Sequence, residues 1–238
     1  MRTALLASFL VLAGCVGVLQ PPQPLAPRAA ATAGRLPPPA AAELFVSVVA
    51  RVEPVAEALC RQRAAGVNCD LRIVVDDRPG QPPNAFQTVD RSGRPIVGFT
   101  LALIADARNA DEIAFVMGHE SAHHVLNHIP RRLQTAQGAA ILAGALARAN
   151  GATAEGVRQA EAFGAEVGAR SYSKEFELEA DALGVEIAYL AGYDPVRGAA
   201  FFNRLPDPGD RFLGTHPPNA ERQAQVAQVV ARLRGAGR

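Results

Sequence analysis

A chain of 238 residues with 24 Lys and Arg against 23 Asp and Glu, a formal net charge of +1, has no electrostatic reason to bind nucleic acid or to adhere to an anionic membrane surface. At 49% hydrophobic residues it can fill a substantial core, while 5% aromatics and no tryptophan leave no stacking platform for single-stranded nucleic acid.

Met1-Arg2-Thr3 followed by the apolar run Ala4–Ala13 has the form of a secretory signal (1–14), too short to be a permanent membrane anchor. It ends in Leu12-Ala13-Gly14-Cys15, which resembles the lipobox of bacterial lipoproteins, so Cys15 is expected to become the lipidated first residue. Val16 stands where an aspartate would resemble an inner-membrane retention signal, so the outer membrane is the expected destination, with the protein facing the periplasm. Residues 15–42 are rich in Pro, Ala and Gln and too poor in burial to fold; they read as an extended tether. The remaining 43–238 has the length of one domain.

Glu43 to Arg63 has helical spacing, with Pro54 marking a kink or break. Leu71-Arg72-Ile73-Val74-Val75 reads as a strand, and Cys60 and Cys69, flanking the join in an exported protein, are expected to form a disulfide. Asn84–Val89 and Arg94–Phe99 around Asp90-Arg91-Ser92-Gly93 read as a hairpin. An exposed strand edge here can hold a peptide as an added strand.

Asn109 and Glu112 have the spacing of a cap with its reciprocal glutamate. The helix they open runs from about Ala110 to Ile129, ends at Pro130, and contains Gly118-His119-Glu120-Ser121-Ala122-His123, an H-E-x-x-H pattern. Residues four apart lie one turn above each other, so His119 and His123 aim two imidazoles at one point. Such a pair can hold a zinc ion, with Glu120 beside it positioned to take a proton from water. Ile113, Phe115, Val116 and Met117 make this helix apolar on several sides, hence buried, and buried polar groups need a partner such as a metal. His124 and His128 point off the ligand face and read as structural. The next helical stretch, Arg131–Ala149, contains the small apolar run Gly138–Leu146, which fits close helix packing. Helix resumes near Thr153.

A catalytic zinc wants three protein ligands and an open position. A later helical pattern ending at Gly192 carries Ser173-Lys174-Glu175-Phe176-Glu177-Leu178-Glu179-Ala180-Asp181. Glu177 and Asp181 fall on one face, where a glutamate can bind the ion while an aspartate orients a ligand imidazole through its second nitrogen.

His119-Glu120-x-x-His123 with His128 behind it, Glu177-x-x-Ala180-Asp181 after Ser173-Lys174, Gly192-Tyr193-Asp194-Pro195, and Thr215-His216-Pro217-Pro218 with Arg222 together resemble the zinc endopeptidases that include HtpX, the CAAX prenyl endopeptidases and the BepA-like and LoiP-like proteases. The elements keep the family's order from about Asn84 to Arg222, and the lipobox favours the soluble lipoprotein branch. The resemblance implies a mainly α fold with a small β-sheet, of gluzincin type; His119, His123 and Glu177 as ligands of one Zn2+; and Glu120 as catalyst. It also puts His216 near the metal, either to steady the oxyanion or to fill the open position at rest. The chain departs from the family where a Pro-Gly-Gly-like turn usually follows Asn84-Ala85-Phe86, and in having Lys174 for an arginine. It stops at Arg238 without a helical-repeat domain, so partner docking of that kind is not expected. The function implied is hydrolysis of misfolded or unassembled envelope polypeptides. The alternative is a non-catalytic chaperone or assembly lipoprotein stapled by metal, which would have no need of Glu120.

Overall fold

The structure, a computed structural model, describes residues 36–171, 173–207, 209 and 217–236. The signal segment, Cys15, the tether as far as residue 35, and His216 lie outside the described residues. Helix α1 (Pro38–Arg63) begins inside the stretch read as tether, with prolines in its first turn, where a missing N–H leaves no bond unmade. Phe45, Val48, Val52, Ala56 and Leu59 recur every three or four residues as its buried stripe. The expected break at Pro54 does not occur. Pro54 and Ala50, whose carbonyl loses its partner, are both exposed, so water can satisfy the freed group.

Strands β1 (Arg72–Asp76), β2 (Ala85–Val89) and β3 (Pro95–Thr100) form a sheet in the order β1-β3-β2, parallel between β1 and β3 and antiparallel in the β2–β3 hairpin. The hairpin turn closes where Asp90 Oδ1 accepts from Ser92 N at 2.8 Å and Gly93 takes a positive φ of 82°. Cys60 and Cys69 are bonded, with Cα atoms 5.6 Å apart, and Glu57 Oε1 accepts from Leu71 N at 3.1 Å; together they tie the end of α1 to the start of β1. After the short helix α2 (Leu101–Asp106) comes α3 (Ala110–Val125), the helix carrying H-E-x-x-H.

Asn109 caps α3 by accepting from Glu112 N at 3.1 Å. The reciprocal bond falls one residue earlier than expected: Glu112 Oε2 accepts from Arg108 N at 2.9 Å while also pairing with Arg204 at 2.7 Å. The end of α3 also corrects the sequence reading. The helix stops at Val125, Asn127 adopts a left-handed conformation (φ 57°), and α4 (His128–Ala149) starts at once. Pro130 therefore lies in the first turn of α4, where its ring is tolerated, rather than ending α3.

Helix α5 (Ala154–Ser171) packs on α4 through Gly164 and Gly168, where an added Cβ would lie 2.5 Å from the Ala139 and Thr135 carbonyl oxygens. This is the close packing that the small residues of Gly138–Leu146 imply, although Ile141, Leu142 and Leu146 stay exposed. Among the described residues no helix is long and apolar enough to cross a membrane. Helix α6 (Ser173–Leu190), α7 (Pro195–Ala199), a 3₁₀ turn (Ala200–Arg204) and α8 (Asn219–Ala236) complete the chain.

The central helix is α3, with Ala114, Met117 and Ala122 wholly buried between α1, α6 and the sheet. It crosses α6 backbone to backbone at Gly118 and Gly184. A Cβ on Gly118 would stand 2.6 Å from the Gly184 carbonyl oxygen, and one on Gly184 would stand 2.7 Å from His119 N. That contact sets how near the side chains of α6 come to His119.

Candidate metal centre

One turn of α3 presents His119 and His123 side by side, with their Nε2 atoms 3.1 Å apart. From α6, Glu177 reaches both: its carboxylate oxygens lie 3.5 Å from His119 Nε2 and 3.4 Å from His123 Nε2. The two nitrogens and the two carboxylate oxygens, one oxygen against each ring, thus converge on one point. A tetrahedral zinc with bonds of about 2.0–2.1 Å needs donors about 3.3–3.4 Å apart, so the donor set and its spacing fit that ion. Burial disfavours the charged Glu177 carboxylate, but the adjacent rings of His119 and His123 outweigh it and hold the group well below the usual carboxylate range.

Behind His119 stands a second carboxylate. Asp181, wholly buried, lies 2.9 Å from His119 Nδ1 and takes a two-pronged pair from Arg222 of α8, Nε to Oδ2 at 2.7 Å and Nη2 to Oδ1 at 2.7 Å. An ionised carboxylate only accepts, so His119 carries a proton on Nδ1, and in its neutral form it keeps the Nε2 lone pair for a metal. Burial works against an imidazolium here, but Asp181 and Glu177 overcome it and push the metal-free His119 up to about 10. Asp181 itself is held low: burial raises it, and Arg222 and His119 more than compensate.

Glu120 opens onto a cleft of about 430 Å³ that Gln87, His123, Ile129, Arg132 and Phe176 also line. It hydrogen-bonds to no described residue. Burial raises its pKa against the pull of His119 and His123, which makes it a stronger base than a solvated carboxylate. Gln87 comes from β2, an edge strand of the sheet, which places that strand beside the same cleft.

The sequence profile of Peptidase family M48 matches residues 47–230. The chain belongs to this family. Among its relatives, the β-barrel assembly-enhancing protease of Escherichia coli K12 is 27% identical over 150 residues, covering 56% of this chain and 30% of that protein. A similarly named protein of Vibrio cholerae is 32% identical over 123 residues, covering 49% of this chain and 25% of the relative. The chain therefore aligns with about a quarter to a third of the length of these curated relatives.

The M48 domain brings together His119, Glu120, His123, Glu177 and Asp181, while His216 and Cys15 lie outside the described residues. Glu175 is exposed. Glu179 turns away from the His119–His123–Glu177 group to meet His128 and Arg131. His124 is a packing residue, as expected, with Nε2 2.7 Å from the Asn68 carbonyl oxygen. His128 is more than that: its Nδ1 lies 2.8 Å from Nδ1 of His123. Sequence reasoning also passed over Gly118 and Gly184. Their signal was glycine inside a helix, where it costs about 1 kcal/mol against alanine unless a close approach requires it.

Proposed function

We propose that the chain is a zinc-dependent metalloendopeptidase that cleaves misfolded or unassembled cell-envelope polypeptides, held by a lipid on Cys15 at the periplasmic face of the outer membrane. The observation that carries the reading is the His119–His123–Glu177 group beside a cleft on which Glu120 hydrogen-bonds to none of the described residues. Zinc bound there supplies Lewis acidity that polarises the scissile carbonyl and makes water acidic enough to lose a proton near neutral pH. Glu120 accepts that proton and returns it to the leaving amine, a shuttle that its burial-raised pKa suits. Asp181 and Arg222 hold His119 in its ligating tautomer. The substrate backbone lies along the edge of β2 as an added strand, next to Gln87.

The envelope substrate class is supported by the names of the relatives and by the secretory leader. The rival reading, a metal-stapled chaperone, has no use for a glutamate beside the ligands that lines the cleft without being one of them. The deciding experiment compares the mature domain with its Glu120→Gln variant for bound metal and for casein digestion. The amide leaves the three donors intact but cannot take a proton, so zinc content should be unchanged and cleavage should fall about 10²–10⁴-fold. Cleavage within a few-fold of the parent would remove Glu120 from the mechanism.

A further inference from the structure

His123 and His128 meet nitrogen to nitrogen, Nδ1 to Nδ1 at 2.8 Å, so one ring must donate a proton there and the other must accept. The far nitrogen of His128, Nε2, lies 3.0 Å from Glu179 Oε2. Glu179 is paired with Arg131 at 2.6 Å, and as a carboxylate it can only accept. The His128 ring is 4% exposed and stacks on Phe176, with centroids 4.6 Å apart and planes 9° apart; Arg131 lies over the same Phe176 ring at 4.3 Å. A neutral imidazole has one N–H. In His128 that N–H points from Nε2 to Glu179, which leaves Nδ1 as an acceptor. His123 must then carry its proton on Nδ1, and its bare Nε2 faces His119 at 3.1 Å and Glu177 at 3.4 Å.

We infer that His128 is a positioning residue that, together with Glu179, locks His123 in the tautomer whose Nε2 is free for a metal, as Asp181 does directly for His119. The two histidines on α3 are thus oriented by two carboxylates of α6, one in direct contact and one through an intervening imidazole. Without the acceptor at His128, either nitrogen of His123 can hold the proton, and half of the pair's preorganisation for a cation is lost. The stack on Phe176 and the Arg131–Glu179 pair fix the orientation of the intermediary ring.

The inference rests on the zinc reading for its purpose, and two measurements on the full chain separate the two. The first is zinc affinity by chelator competition. His128→Phe keeps an aromatic ring on Phe176 but offers no acceptor, and should weaken zinc by about 10–100-fold, the cost typical of losing an outer partner of a ligand. His128→Asn puts an amide oxygen near where Nδ1 stands and should stay within about 3-fold of the parent. Affinity unchanged in His128→Phe, or an equal loss in both variants with a lowered melting temperature, would make His128 a packing residue and overturn the inference. The second is nitrogen NMR of the imidazoles in the metal-free parent chain, where His123 should carry its proton on Nδ1 and His128 on Nε2. The reverse pattern overturns the inference even if zinc binds. The expected pattern supports it even if the parent takes up no zinc, an outcome that would defeat the proposed function instead.

Discussion

Replacing Gly184 by alanine should damage the metal centre without touching any of its side chains. The new Cβ would stand 2.7 Å from His119 N, 2.9 Å from His119 Cα and 3.0 Å from the Gly118 carbonyl carbon. Heavy atoms prefer separations of about 3.5–4.0 Å, so α3 and α6 must part by roughly 0.7–1 Å, and no rotamer change relieves a clash between backbones. Overpacking of this kind costs about 1–3 kcal/mol in stability. The functional consequence is larger, because His119 and His123 ride on α3 while Glu177 and Asp181 ride on α6. The 3.4 and 3.5 Å separations between the Glu177 carboxylate and the two imidazoles would open together with the 2.9 Å bond from His119 to Asp181. Sites of this type tolerate displacements of about 0.5 Å, and a misplacement near 1 Å can cost about 10²-fold in rate. We expect zinc affinity at least about 10-fold weaker and casein cleavage reduced by about 10²-fold, with helical content preserved. The matched control is Gly138→Ala on α4, where an added Cβ meets nothing within 4 Å. It should leave zinc binding intact and stabilise the fold by about 0.5–1 kcal/mol. Zinc affinity and cleavage by Gly184→Ala within about 3-fold of the parent would refute the idea that this crossing sets the site, since a real displacement costs far more.

Glu177→Ala should lose zinc on gel filtration or bind it at least about 10-fold more weakly, whereas Glu175→Ala, which alters an exposed side chain, should keep a stoichiometric ion; the opposite result would mean a different carboxylate serves. Arg222→Met leaves the wholly buried Asp181 without its two-pronged partner and should cost about 3–5 kcal/mol in urea unfolding, much of it recovered in the double variant with Asp181→Leu; a loss below about 1 kcal/mol would show that the pair is not what holds α8 in place. Replacing Cys60 and Cys69 together by serine opens a loop whose ends are 9 positions apart and should cost roughly 2–3 kcal/mol, and an unchanged urea midpoint would contradict it.

What could be read along the chain was whatever depends on neighbours a few residues away. The four-residue spacing of His119 and His123 places both rings on one turn whatever surrounds them. The cap at Asn109, the glycine turn of the hairpin and the left-handed Gly192 that closes α6 are local choices too. The two cysteines, nine positions apart, announced their bond by proximity in sequence. Even local reading failed where one residue suits two contexts: Pro130 can follow a helix or open one, and the left-handed turn at Asn127 decided between them.

The remainder required contacts between segments far apart in the chain. Nothing near Glu179 tells that it serves His128 rather than solvent; that depends on the rotation of α6 and on α4 starting directly after α3. The pairing of β3 with β1 in parallel and with β2 in antiparallel put β2 at an edge beside the cleft, a matter of sheet order rather than strand propensity. The depth of the site comes from two glycines on different helices, neither of which has a side chain to advertise a partner. Their whole contribution is the missing Cβ, and its worth appears only where another backbone occupies the space.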